Sequence, residues 1–192
     1  MTQLALDLSP LAQLDPAQFY ALCAANPDLR LERTANGELI AMPPTGGETG
    51  RRNASINAQL WLWNQQTERG EVFDSSTGFS LPNGADRSPD AAWLDHARWQ
   101  AIAPEQRERF VPLCPDFVIE ILSPTDSLPK AQAKLCEYVE NGCRWGWLLA
   151  RRTQLAEVYR PNQSVEMLSA PLSLSGDPLL PGFVLDLSRF WS

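Results

Sequence analysis

The chain has 192 residues, 44% hydrophobic and 20% charged, which fits one globular domain over residues 1–192 and excludes a disordered or low-complexity protein. A net charge of −7, from 16 basic and 23 acidic residues, argues against a sequence-independent nucleic-acid coat, which needs a strongly basic surface; it leaves open a locally basic groove. Cys23, Cys114, Cys136 and Cys143 form no CxxC pair, and His96 is the single histidine, so a structural zinc site lacks its ligands and the thiols read as free, in a reducing compartment.

Met1 to Pro10 carries Asp7 and no basic cluster before an apolar run, unlike a secretory signal. No apolar run approaches the roughly 20 residues of a membrane helix. The expectation is a cytoplasmic protein without a membrane partner.

Asp15-Pro16-Ala17-Gln18 predicts a helix start, with Asp15 as cap, Pro16 at the first position and Gln18 closing a capping box; the helix should reach about Asn26. Leu29–Thr34 and Glu38–Met42 read as strands joined through Asn36-Gly37, a strong hairpin signal. After a loop over Pro43–Gly47, the spacing of Ile56, Leu60 and Trp63 predicts a helix from Glu48 to about Glu68. Short strands are expected at Glu71–Phe73 and Thr77–Leu81, a polar loop at Pro82–Ser88, an apolar strand at Asp90–Leu94 and a helical turn near Pro104–Arg109.

Phe117–Leu122 reads as a strand buried on both faces. A turn at Ser123–Asp126 leads to a helix over Leu128–Asn141, stopped by Gly142. Trp145–Leu149, Leu155–Tyr159, Val165–Leu168 and Phe183–Leu187 complete the strands, and the alternation points to an α/β or α+β sandwich. Trp61 and Trp63 share a helix, Trp145 and Trp147 a strand; such aromatics read as core or dimer contacts, and His96 as a surface or turn residue.

Three residues break their local pattern. Glu120 is the only polar side chain in Phe117–Leu122; an acid in such a strand pairs, protonates or binds a metal. Asp90 opens the next apolar strand and alone reads as a turn acid. With Glu120 on a neighbouring strand, it can hold a hard divalent cation such as Mg²⁺. Asp116 competes poorly, because four residues of strand separate it from Glu120 by about 13 Å. Lys134 falls with Ala131, Leu135 and Tyr138 on the inner stripe of its helix, where it either snorkels along the edge or meets the carboxylates.

Pro89-Asp90 followed by Glu120 in an apolar strand resembles the PD-(D/E)XK nuclease signature. The chain more closely resembles the bacterial Uma-two family of restriction endonucleases, through Leu31–Ile40, Pro43–Gly47, Arg87–Asp90, Pro115–Pro124, Lys134 to Tyr138 and Gly142, and Tyr159–Pro161. The resemblance implies a restriction-endonuclease-like mixed β-sheet flanked by helices, a Mg²⁺ or Mn²⁺ cofactor, a nucleic-acid substrate, DNA first, and catalytic Asp90, Glu120 and Lys134. It also implies Glu32 as a further metal ligand beside Asp90 and Glu120. Leu122 stands where the superfamily pattern has lysine, so that role passes to Lys134; Thr49 stands where the family tends to carry histidine.

Cleavage of both strands of a duplex calls for two sites, hence an expected homodimer, and a basic rim from Arg51, Arg52, Arg87 and Lys130 is the expected footprint of nucleic acid. The rivals are a non-catalytic interaction or regulatory domain on the same fold, which the acidic net charge favours, and a hydrolase of another phosphoester.

Overall fold

The computed structural model of the protein describes residues 4–6, by their backbone, 14–124 and 126–192. Most of the stretch read for a targeting signal, and Thr125 of the turn expected at Ser123–Asp126, lie outside the described residues.

The first half of the chain carries β1 (Leu4–Leu6), α1 (Pro16–Ala25), β2 (Arg30–Arg33), β3 (Leu39–Met42), α2 (Gly47–Thr67), β4 (Gly70–Asp74), β5 (Phe79–Ser80), β6 (Asp86–Arg87) and β7 (Ala91–Asp95). The second carries α3 (His96–Gln100), α4 (Pro104–Arg107), β8 (Phe117–Leu122), α5 (Leu128–Glu140), β9 (Trp145–Ala150), β10 (Leu155–Tyr159), β11 (Glu166–Ser169), β12 (Ser173–Ser175) and β13 (Val184–Asp186).

The local signals act as their chemistry requires. Asp15 accepts from the Gln18 amide while the Gln18 side chain accepts from the Asp15 N–H, a reciprocal cap with Pro16 in the first turn. Gly37, at φ +83°, closes the β2–β3 hairpin in a left-handed conformation that a side chain would strain. Asp95 caps α3, a helix too short for periodicity to announce, and His96 opens it, exposed.

The central sheet runs β11-β10-β9-β8-β7-β4, with only β8 and β9 parallel. A second sheet, β1-β3-β2-β6-β5, forms beside it, and β12 with β13 makes a separate ribbon. The segment expected as a loop at Pro82–Ser88 therefore contributes β6, whose Asp86 pairs with Arg33 of β2 in register and by salt bridge. Thr77–Leu81 shrinks to the two residues of β5.

Two cores divide on the central sheet. On one face Ile56, Leu60 and Trp63 of α2 pack with Trp93, Phe117, Ile119 and Trp147, closed by Leu180, Phe183 and Leu185. On the other, Leu135 and Tyr138 of α5 meet Val118, Leu148 and Tyr159. Alternation along β8 thus sends Phe117, Ile119 and Ile121 toward α2, and Val118 and Glu120 toward α5. Gly146 of β9 lies under α5: a Cβ there would stand 2.6 Å from Leu135 Cδ1.

Cys143 donates to the Trp145 carbonyl and Cys114 to that of Tyr138, while Cys136 is exposed. Among the described residues no helix is long and apolar enough to cross a membrane.

Gly70 pins the edge of the sheet. A Cβ there would stand 2.1 Å from the Leu94 carbonyl oxygen and 2.7 Å from the Trp93 ring, and both belong to the core. Gly70→Ala should therefore destabilise the protein by about 2 kcal/mol, lowering Tm by roughly 6 °C. Gly47→Ala, in open space at the start of α2, should leave Tm within a degree or so. Equal thermal melts for both variants would contradict this account.

Candidate active site

β7 and β8 pair antiparallel with Ala91 opposite Ile119, so the next step of the register brings Asp90 opposite Glu120. Asp90 itself lies just before β7 in a bend. Its Oδ2 accepts from the Ile121 N–H at 2.8 Å, and its Oδ1 from Asn53 Nδ2 at 2.9 Å. The two carboxylates expected on neighbouring strands therefore sit at the same end of the sheet.

Lys134 reaches this row from α5. Its Nζ lies 2.8 Å from Glu120 Oε1 and 2.8 Å from Glu32 Oε1, and 3.4 Å from the Ser88 carbonyl. The alternative in which Lys134 snorkels to solvent is not what the fold adopts: the side chain is 16% exposed and its head points inward. The Tyr138 hydroxyl donates to Glu120 Oε1 at 3.2 Å. One turn apart on one helix, Lys134 and Tyr138 thus converge on a single carboxylate oxygen.

Glu32, 1% exposed on β2, is gathered into the same cluster but with cationic company. Oε1 meets Lys134 and the Ser88 N–H, and Oε2 meets Arg87 at 3.2 Å. Arg87 also grips Glu137 at 2.6 Å. The basic rim expected from four residues is accordingly halved. Arg87 is consumed inside this network, and buried Arg52 ties α2 to the C-terminus through the Phe190 carbonyl and to Glu48. Arg51 and Lys130 remain exposed. Asp116 stands at the entry of β8, buried and held by Arg98 at 2.7 Å and the Asp95 N–H, apart from the cluster.

Four carboxylates, Glu32, Asp90, Glu120 and Glu137, share two close cations, Lys134 and Arg87. The imbalance shows in the acidities. Burial, only partly offset by Lys134 and reinforced by the charges of Asp90 and Glu32, pushes Glu120 up to about 7. Burial likewise raises Asp90 against the opposing Ile121 N–H and Lys134. Burial also works against Glu32, but Lys134 and Arg87 outweigh it and hold Glu32 below its ordinary value. On Lys134 burial opposes the charge, and Glu120 with Glu32 overcomes it and raises the ammonium.

A divalent metal fits the donor set at Asp90 and Glu120: adjacent hard oxygen donors whose negative charge is under-compensated. Among the described residues no group of three His, Cys, Asp or Glu side chains is assembled to hold an ion. The fit is thus to a cation that takes one or two carboxylates and completes its shell with water and substrate phosphate, the habit of Mg²⁺.

Sequence reading passed over Asn53 and Asn57. Asn57 Nδ2 donates to the Asp90 carbonyl at 2.9 Å, so these two residues of α2 hold the Asp90 bend by side chain and backbone. Two asparagines at i, i+4 inside a helix, where their propensity is poor, were the available signal.

The architecture is a mixed α/β one, a sheet flanked by helices with buried acids and a lysine at one end. A family model named Uma2 and described as "Putative restriction endonuclease" matches residues 16–188, and the chain belongs to that family. The fold is shared with a crystal structure from Anabaena variabilis described as a "putative nuclease", at 21% identity and TM-score 0.70, covering 84% of this chain and 89% of that one. No curated protein matches in sequence.

The charge imbalance has a measurable sign. An acid whose folded pKa is raised holds its proton longer when folded, so its contribution turns unfavourable as pH rises from about 4.5 through about 7. For Glu120 the full shift corresponds to about 3 kcal/mol. With a chelator present, wild type should lose stability relative to Glu120→Gln between pH 5 and 8, in urea titrations. Parallel pH profiles would show that the Glu120 charge is already balanced.

Proposed function

We propose that the protein is a divalent-metal-dependent endonuclease, intracellular, hydrolysing phosphodiester bonds of nucleic acid, with DNA as the first substrate to test. What carries the reading is the convergence of Asp90, Glu120 and Lys134 at one end of the central sheet, in a chain of the Uma2 family.

Asp90 and Glu120 would hold Mg²⁺ or Mn²⁺, with the Ile121 carbonyl as a further ligand. The chemistry such an ion supplies is a water of lowered pKa and neutralised charge on the phosphate. Lys134 supplies a fixed cation that orients the attacking water and stabilises charge developing on the phosphate oxygens. Tyr138 fixes Glu120 by donating to the oxygen that Lys134 also touches. Asn53 and the Ile121 N–H fix Asp90. Glu32, with its oxygens given to Lys134, Arg87 and Ser88, holds the lysine in place and serves the metal from a distance. Two copies would place two such sites on a duplex.

The rival is a non-catalytic interaction domain on the same fold. The net charge of −7 and the internal use of Arg52 and Arg87 favour it, since both deplete the basic footprint for nucleic acid.

Mn²⁺ should raise Tm of wild type and of Lys134→Met, and not of Asp90→Asn with Glu120→Gln combined. Wild type should cleave single- or double-stranded DNA or RNA in Mn²⁺, and Lys134→Met should lose activity by at least about a hundredfold. Equal cleavage by both proteins would remove Lys134 from the mechanism. A wild type that cuts no substrate would decide for the interaction domain.

A further inference from the structure

On the α2 face of the central sheet a concavity of about 280 Å³ opens between α2 and the edge strand β4, lined by Asn57, Ala58, Trp61, Val72 and Asp74. Two links tie it to Asp90. Asn57 Nδ2 donates to the Asp90 carbonyl at 2.9 Å, and Asp74 stands opposite Ala91 in the β4–β7 register.

Its walls are chemically one-sided. Trp61 is 51% exposed, whereas Trp63, two residues on, is buried in the core and donates to the Pro181 carbonyl. Trp61 therefore leaves a flat apolar face at the rim without serving the packing of α2. Val72 and Ala58 supply further apolar wall. Besides the Trp61 indole N–H at the rim, the polar group open to a ligand is the Asp74 carboxylate, an acceptor. Asn57 is engaged within the protein: its Nδ2 donates to Asn53 and to the Asp90 carbonyl, and its Oδ1 is closed off from the surface. The Asp74 carboxylate caps Ser76 through Oδ1. An anionic group is repelled from such a pocket; a flat ring bearing N–H donors is not.

We propose that this concavity is a nucleobase subsite, in which Trp61 stacks on an unpaired base while Asp74 accepts from its exocyclic amine. The proposal rests on the nuclease reading, and it narrows the substrate to strands whose bases are unpaired at the cleavage point, because a base inside a duplex offers neither face. The base enters from the α2 side while the attached phosphate faces Asp90, one asparagine side chain away. The amine preference follows from the Asp74 carboxylate: adenine, cytosine and guanine carry an exocyclic amine, thymine does not.

Fluorescence anisotropy with labelled short single strands of deoxyadenosine, deoxycytidine, deoxythymidine or abasic nucleotides, in Ca²⁺ to block cleavage, tests the subsite. Wild type should bind the amine-bearing strands tightest and the abasic strand weakest. Trp61→Ala should weaken the amine-bearing strands by about tenfold and erase the preference among bases. Trp61→Phe should restore most of the affinity, and the Mn²⁺ thermal shift should be unchanged in both variants. Undiminished binding and preference in Trp61→Ala, with the Mn²⁺ shift intact, overturns the subsite and leaves the metal site standing. A wild type that neither binds any strand nor shifts with Mn²⁺ overturns the subsite together with the nuclease reading.

Discussion

One ammonium group organises the charged end of this protein's central sheet. Lys134 Nζ sits 2.8 Å from carboxylates on two different sheets, Glu32 of β2 and Glu120 of β8. Glu32 is fully buried and Glu120 largely so, and burial alone would favour the protonated form of both. Removing the lysine would leave Glu120 without its cation, whereas Glu32 would keep Arg87 and the Ser88 N–H. The second sheet is thereby attached to the central one through charge as well as through packing, and the attachment point is the site itself.

The carboxylates differ in how completely they are neutralised. Glu32 has two cations and a backbone donor, and its acidity is strengthened. Asp90 and Glu120 share what remains of one lysine and a few neutral donors, with Arg30 adding a smaller pull on Asp90, and theirs is weakened. Environment alone thus separates chemically similar groups into a settled structural acid and an unsettled pair. The unsettled pair is where added positive charge gains the most.

Much of this was legible in the chain because it violated local expectation. Glu120 in an otherwise apolar strand, Asp90 at the mouth of the next and Lys134 on an inner helical stripe are anomalies that a single sequence displays. The central strands and both long helices followed from periodicity and caps, with ends displaced by a residue or two. What stayed hidden depends on distant partners. Arg87 reads as a surface charge until Glu32, 55 residues away, and Glu137, 50 away, close on it. The strand at Asp86–Arg87 exists because β2 and β5 lie on either side of it, and α3 is one turn and a half of helix set by its Asp95 cap.

Helix α5 carries the lysine, and the height of that helix over the sheet is set by an empty space. The bare backbone at Gly146 admits Leu135, the immediate neighbour of Lys134, down to a separation that a single methyl group would already block. Position 146 therefore works as a shim of zero thickness. Thickening it by one carbon would tilt the lysine relative to its two acids while every member of the charged cluster kept its identity, so the tuning of this site is written in part at a residue with no chemistry of its own.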